Sequence, residues 1–188
     1  MRFGLVALAA ALALSACDSG EVPSPAQRQQ GEGVQQPLAA NAVELRGEGL
    51  AAGSEAFYFA AGQQEVETAL AKALGAPLRT GSNPECGAGP IIFTDFAGGL
   101  TAHFQQGRLV GWNWHLAQDG DAPATGVVKL AGDVQVGSAR SLAESAPGYA
   151  PVEGSTLGEE FALGQRIGGF IAGDKVEMLY AGTQCFFR

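Results

Sequence analysis

Three cysteines and two histidines carry most of the reactive chemistry available to this 188-residue chain. They are Cys17, Cys86, Cys185, His103 and His115. A thiol beside an imidazole could act as nucleophile and base, and the same side chains could hold zinc. The spacings support neither, since no C-x-x-C and no H-x-x-x-H occurs. Nor does the chain contain G-x-S-x-G, S-x-x-K, H-E-x-x-H or a phosphate-cradling G-x-x-x-x-G-K-[ST]. His103 precedes Phe104 and His115 follows Trp114 in stretches that read as strand, so both are expected to be satisfied by a neighbour or to face solvent. Asp119 and Asp121 in "QDGDAP" lack the remaining ligands of an EF-hand calcium loop and read as a turn. Glu159 and Glu160 are adjacent, so a strand would send them to opposite faces and not pair them for acid/base work. The expectation is a protein with no catalytic residues, no cofactor and no metal.

Cys17 ends a distinctive N-terminus. Met1-Arg2 is followed by an uncharged apolar run over residues 3–14 and then by small residues. That is the form of a secretory signal peptide, and the run is shorter than the roughly 20 residues a membrane-spanning helix needs. The segment Leu14-Ser15-Ala16-Cys17 resembles the lipobox of bacterial lipoproteins. The resemblance implies cleavage before Cys17, lipid on its sulfur and acylation of the new N-terminus, with residues 1–16 removed. The competing reading is a plain signal peptide cut at Ser15-Ala16, which leaves Cys17 as a spare thiol. An Asp directly after the lipidated Cys, here Asp18, favours the inner membrane in some bacteria and not in others, which leaves both membranes open. Residues 17–41 then read as a flexible tether, because residues 18–41 hold three Pro, three Gly and five Gln and no aromatic. With Cys17 assigned to lipid, Cys86 and Cys185 remain as an even pair in an exported chain, which favours a disulfide over a reactive thiol or a metal pair.

Composition narrows the partners. The formal charge is -8, with 11 basic residues scattered along the chain, so no basic stripe offers itself to nucleic acid. The 28 glycines fall between short apolar runs and point to many turns and short strands.

The elements that would position these side chains follow from periodicity. Residues 63–74 place Val66, Ala69, Leu70, Ala73 and Leu74 on one face, which predicts a helix stopped by Gly75 and Pro77. Residues 91–96, 100–104 and 109–116 read as an antiparallel meander. In its last strand Val110, Trp112, Trp114 and Leu116 should point one way, and Leu109, Gly111, Asn113 and His115 the other. The second half reads similarly: a helix over residues 139–146 capped by Ser138, then strands at 158–163, 167–172 and 176–182. The expected fold is α+β, with residues 42–188 forming one domain of two tandem helix-plus-antiparallel-meander repeats, about 42–117 and 126–188. "EVETALAKALGAP" and "GGLTAHFQQGRLVGWNW" resemble the small lipoproteins of the BamE type, with Ala61-Gly62-Gln63 where that family usually has Gly-Met-Thr. The tandem layout resembles the β-lactamase inhibitor protein family. Both resemblances imply binding to other proteins.

Alternating aromatics on a sheet usually mean core; left uncovered, they become a contact surface. Trp112, Trp114, His115 and Tyr180 are the candidate binding surface on that reading. The sequence therefore leads to a non-enzymatic protein-binding or assembly module of the bacterial cell envelope, its domain on the periplasmic or outer side. Its partners would be the membrane, through lipid on Cys17, and another protein. A small-ligand or glycan binder with a pocket between the repeats, lined by Trp114, His115 and Tyr180, is the second reading, and an envelope enzyme the third.

Overall fold

The apolar stripe of residues 63–74 is a helix, α1 (Gln63–Leu74), and Val66, Ala69, Leu70, Ala73 and Leu74 are its buried face. Glycine stops it: Gly75 has φ 99°, a value that costs other residues steric strain. Its start has no side-chain cap. Instead the backbone N–H of Gln63 donates to the Gly107 carbonyl, so the turn before the last meander strand satisfies an orphan donor of the helix. The computed structural model describes residues 38–117 and 124–186, so the signal segment, Cys17 with the tether as far as residue 37, and the turn holding Asp119 and Asp121 lie outside the described residues.

The expected α+β repeat architecture is overturned. Among the described residues the chain is mostly β, with twelve strands in two sheets and only two short helices. The strands are β1 (Ala42–Arg46), β2 (Gly49–Ala52), β3 (Glu55–Tyr58), β4 (Arg79–Asn83), β5 (Ile91–Phe96) and β6 (Leu100–Gln105). They continue with β7 (Arg108–His115), β8 (Val127–Leu130), β9 (Tyr149–Pro151), β10 (Glu159–Leu163), β11 (Ile167–Ala172) and β12 (Lys175–Gly182). The second helix, α2 (Arg140–Glu144), is five residues long. Ser138 does not cap it, because its Oγ accepts a hydrogen bond from the Gln135 N–H. The larger sheet runs β4-β5-β6-β7-β12-β11-β10-β9. Its two meanders are therefore one continuous sheet, joined by antiparallel pairing of β7 with β12. A smaller sheet runs β3-β2-β1-β8, with β1 and β8 parallel.

The core lies on one face of the large sheet. Val43, Leu45, Leu50 and Leu130 of the small sheet and the buried face of α1 pack with Phe96, Leu100, Phe104 and Leu109 of the large sheet. Glu67 of α1 fixes the helix to β5 by accepting from the buried Thr94 hydroxyl at 2.7 Å. At the centre is Trp112, 0% exposed. Its cross-strand neighbours on that face are Ala102 of β6 and Ala181 of β12, small residues that leave room for the indole. The indole Nε1–H donates to the carbonyls of Arg46 and Gly49, both at 2.9 Å, and so clamps the β1–β2 hairpin onto the large sheet.

One register irregularity changes the facing of β7. His103 pairs with Gly111 but Phe104 pairs with Leu109, which leaves Val110 as the extra residue of a bulge. Leu109 consequently enters the core at 0% exposure instead of facing away from Trp112. Leu116 lies beyond the end of the strand and is exposed.

Trp112→Phe keeps an aromatic ring but leaves two buried carbonyls without the indole donor. It is expected to lower unfolding free energy by about 1–3 kcal/mol, read from urea denaturation of the wild type and the variant.

Candidate functional site: the outer face of the large sheet

The face of the large sheet turned away from the core holds a row of polar and aromatic side chains. Its existence follows from strand alternation. In β5, Thr94 and Phe96 are buried toward the core, so Phe93 and Asp95 fall on the other side. Thr101 and His103 of β6, Asn113 of β7 and Tyr180 of β12 continue the row, with Thr101 opposite Asn113 and Asn113 opposite Tyr180.

The groups in this row satisfy one another. Arg79 Nε donates to Asp95 Oδ2 at 2.8 Å, and its guanidinium lies 5.0 Å from the Phe93 ring centre. Thr101 Oγ1 donates to Asp95 Oδ1 at 2.8 Å. His103, 7% exposed, lies 3.1 Å through Nδ1 from the Thr183 carbonyl and 3.2 Å through Nε2 from Asn113 Nδ2. A carbonyl only accepts and an amide nitrogen only donates, so these partners assign a neutral imidazole with its proton on Nδ1. Burial pushes the His103 pKa below the usual histidine value, and the Thr183 hydrogen bond and the Asp95 charge only partly offset that. Farther along, the Tyr180 hydroxyl donates to Glu160, and Ser155 Oγ donates to the same carboxylate at 2.6 Å. Glu159, on the opposite side of β10, is half-exposed and pairs with Arg140, so the two glutamates alternate as the sequence predicts.

The C-terminal segment crosses this face. Its path requires glycine twice: Gly182 turns with φ 71°, and a Cβ on Gly111 would lie 2.5 Å from the Thr183 carbonyl oxygen. Thr183 N–H donates to the Val110 carbonyl that the bulge frees. Gln184 Nε2 donates to the carbonyls of Trp112 and Ala181, at 3.0 and 2.9 Å. Cys185 is disulfide-bonded to Cys86, with 5.1 Å between Cα atoms. Over a sequence separation of 99 residues such a link stabilises by about 4–5 kcal/mol on the chain-entropy account. Phe186 then meets Phe170 and Tyr180 edge-on, at 5.4 and 5.0 Å between ring centres.

The four residues expected to form a binding surface are divided, with Trp112 and Trp114 on the core side of the large sheet and His115 and Tyr180 on its outer face. Trp112 and Trp114 are core residues, and Trp114 Nε1 donates to the Gly98 carbonyl at 2.9 Å. Tyr180 is on the opposite face, at the side of Asn113. His115 hydrogen-bonds through Nδ1 to the Leu116 carbonyl and lines a depression of about 330 Å³ with Arg79, Asp95 and Thr101. Trp114 faces the core while His115 and Tyr180 face the other side of the sheet, so the three side chains do not line one pocket. Sequence reasoning missed Arg79, Asp95, Phe170 and the crossing segment. The signal for Asp95 was available, because it alternates with Thr94 and Phe96 in "IIFTDF".

Among the described residues no three His, Cys, Asp or Glu side chains gather as a metal site. The hydroxyls of Thr101 and Tyr180 donate to the carboxylates of Asp95 and Glu160. Comparison with known protein families, curated proteins and solved structures finds no match to this chain.

The His103 environment predicts a pH dependence. Above about pH 6.5 the residue is neutral whether the chain is folded or unfolded, so it adds no slope. Below that value the unfolded chain takes up the proton first, and stability falls until the pH passes the lower pKa of the folded state. Denaturation midpoints measured from pH 7.5 downward should decline through this window, and His103→Gln should remove that part of the decline.

Proposed function

We propose that this protein is a lipid-anchored module of the bacterial cell envelope that binds another protein through the outer face of its large sheet. The observation that carries the reading is the extent and make-up of that face. Eight strands give seven spacings of about 4.8 Å, so the face is about 34 Å across. A six-residue strand such as β6 makes it about 20 Å deep at about 3.3 Å per residue. The product, about 700 Å², is the extent of the whole face, part of which residues 183–186 cover, and is of the order of the roughly 800 Å² that each partner contributes to an ordinary protein interface. Phe93, Phe170, Met178 and Tyr180 supply half-buried apolar and aromatic area, with Asp95 and Asn113 between them.

Apart from the buried Gln184 Oε1, which has no partner among the described residues, the side chains of the polar row are hydrogen-bonded, which favours a preorganised contact surface over a reaction centre. Preorganisation lowers the ordering cost of association. Among the described residues no helix is long and apolar enough to cross a membrane. Attachment in this reading is through the lipid on Cys17, and more than one acyl chain makes such anchoring stable.

The test is photo-crosslinking in intact cells, with a benzophenone amino acid placed at Phe93 or Met178 on the outer face and at the exposed Val127 of the small sheet. Discrete adducts of the same mass are expected from the first two positions and none from Val127. Equal adducts from all three, or none from the outer face, would remove the reading.

A further inference from the structure

A second feature, made of other residues, lies where the β4–β5 loop meets the β6–β7 turn. It is a cleft of about 710 Å³, within the 300–1,000 Å³ range of small-molecule sites. Pro84, Pro90, Ile91, Ile92 and Val110 give it an apolar lining, with the fully buried Phe104 behind them. Ile92 is 38% exposed, unusual for an isoleucine in an interior strand of a sheet.

The wall of the cleft is fixed from three sides. Cys86 ties it to the C-terminal segment. Gln105 Nε2 donates to the carbonyls of Ala88 and Gly89, at 3.0 and 3.1 Å. Asn83 Oδ1 accepts from the Glu85 N–H at 3.0 Å, closing the start of the loop. A loop held this way keeps its shape without a ligand.

Arg108 also lines the cleft and is exposed. One of its guanidinium nitrogens donates to the Ala60 carbonyl at 3.3 Å, and no described carboxylate pairs with it. In a chain of net charge -8, an unpaired guanidinium against an apolar cleft sets the ligand's charge.

From this geometry we propose that the cleft binds a small monomeric amphiphile: an aliphatic body against Pro90, Ile92 and Val110, and an anionic head on Arg108. The proposal is independent of the protein-binding face.

The test uses the purified full chain with its disulfide intact. Decanoate, decyltrimethylammonium and decyl maltoside are titrated below their micelle-forming concentrations, and amide NMR shifts and calorimetry are recorded. Decanoate is expected to bind at one site and to shift the amides of Ile91, Ile92 and Val110. The cationic probe should bind at least tenfold more weakly. Arg108→Gln should weaken decanoate about tenfold while leaving the maltoside unchanged, and Arg108→Lys should restore most of the loss. Ile92→Thr, which keeps a β-branched strand residue and removes apolar wall, should weaken decanoate several-fold while the amide spectrum away from the cleft stays that of the wild type. Equal affinity for all three head groups, no response to Arg108→Gln, shifted amides elsewhere, or binding only to anionic phospholipid vesicles overturns the proposal. So does the absence of binding.

Discussion

Trp112 joins three parts of this molecule at one residue. Its indole N–H holds the β1–β2 hairpin in front of the large sheet, and its own carbonyl accepts from Gln184 of the C-terminal segment behind. Within the sheet it stands in β7, the strand through which the first meander pairs with β12 of the second. Two alanines flank it, so the largest side chain of the core fills space that its neighbours vacate. Cores reward this fit of large against small, because dispersion contacts are lost steeply at any gap. Small sheet, large sheet and crossing segment are thus fixed relative to one another by the placement of one indole and its peptide group.

That arrangement also explains why the outer face takes its form. Gly111 sits next to Trp112, and its missing Cβ is what lets residues 183–186 approach the sheet. The bulge at Val110 presents a carbonyl to Thr183, and the disulfide holds the end of the same segment. Gly168 repeats the device on β11, where a Cβ would lie 2.2 Å from the Tyr180 ring. Glycines in strand interiors weaken a sheet in isolation. Here they are the positions at which backbone or an aromatic ring closes onto it, and they give the face its mixture of rings and satisfied polar groups.

Much of the local structure was legible in the sequence. The 3.6-residue period gave α1 and its buried face, the period of two gave β5, β6, β7, β10, β11 and β12, and cysteine parity gave the Cys86–Cys185 bond. What escaped is non-local or short. Strands such as "GLAA" and "EAFY" carry too few large apolar residues to show a period, so the small sheet went unread. Its parallel β1–β8 pairing joins residues far apart in the chain, and no local pattern encodes it. The pairing of β7 with β12 is equally remote, and it turns two apparent repeats into one sheet. The four residues of the candidate surface are divided between two faces for a related reason. Tyr180 was grouped with Trp112 and Trp114 by residue type, but the register places its ring on the other side of the sheet. The bulge at Val110 added a further reversal that strict alternation cannot foresee.

The central claim is that the two halves of the large sheet are a single cooperative structure held at the β7–β12 seam. Native-state hydrogen exchange tests it directly. Amides in β6, β7, β11 and β12 should exchange with one common free energy, equal to that of global unfolding and shifted equally when Trp112 is replaced by Phe. Two separate free energies, one for β4–β7 and another for β9–β12, would show two units that fold independently and would contradict the account.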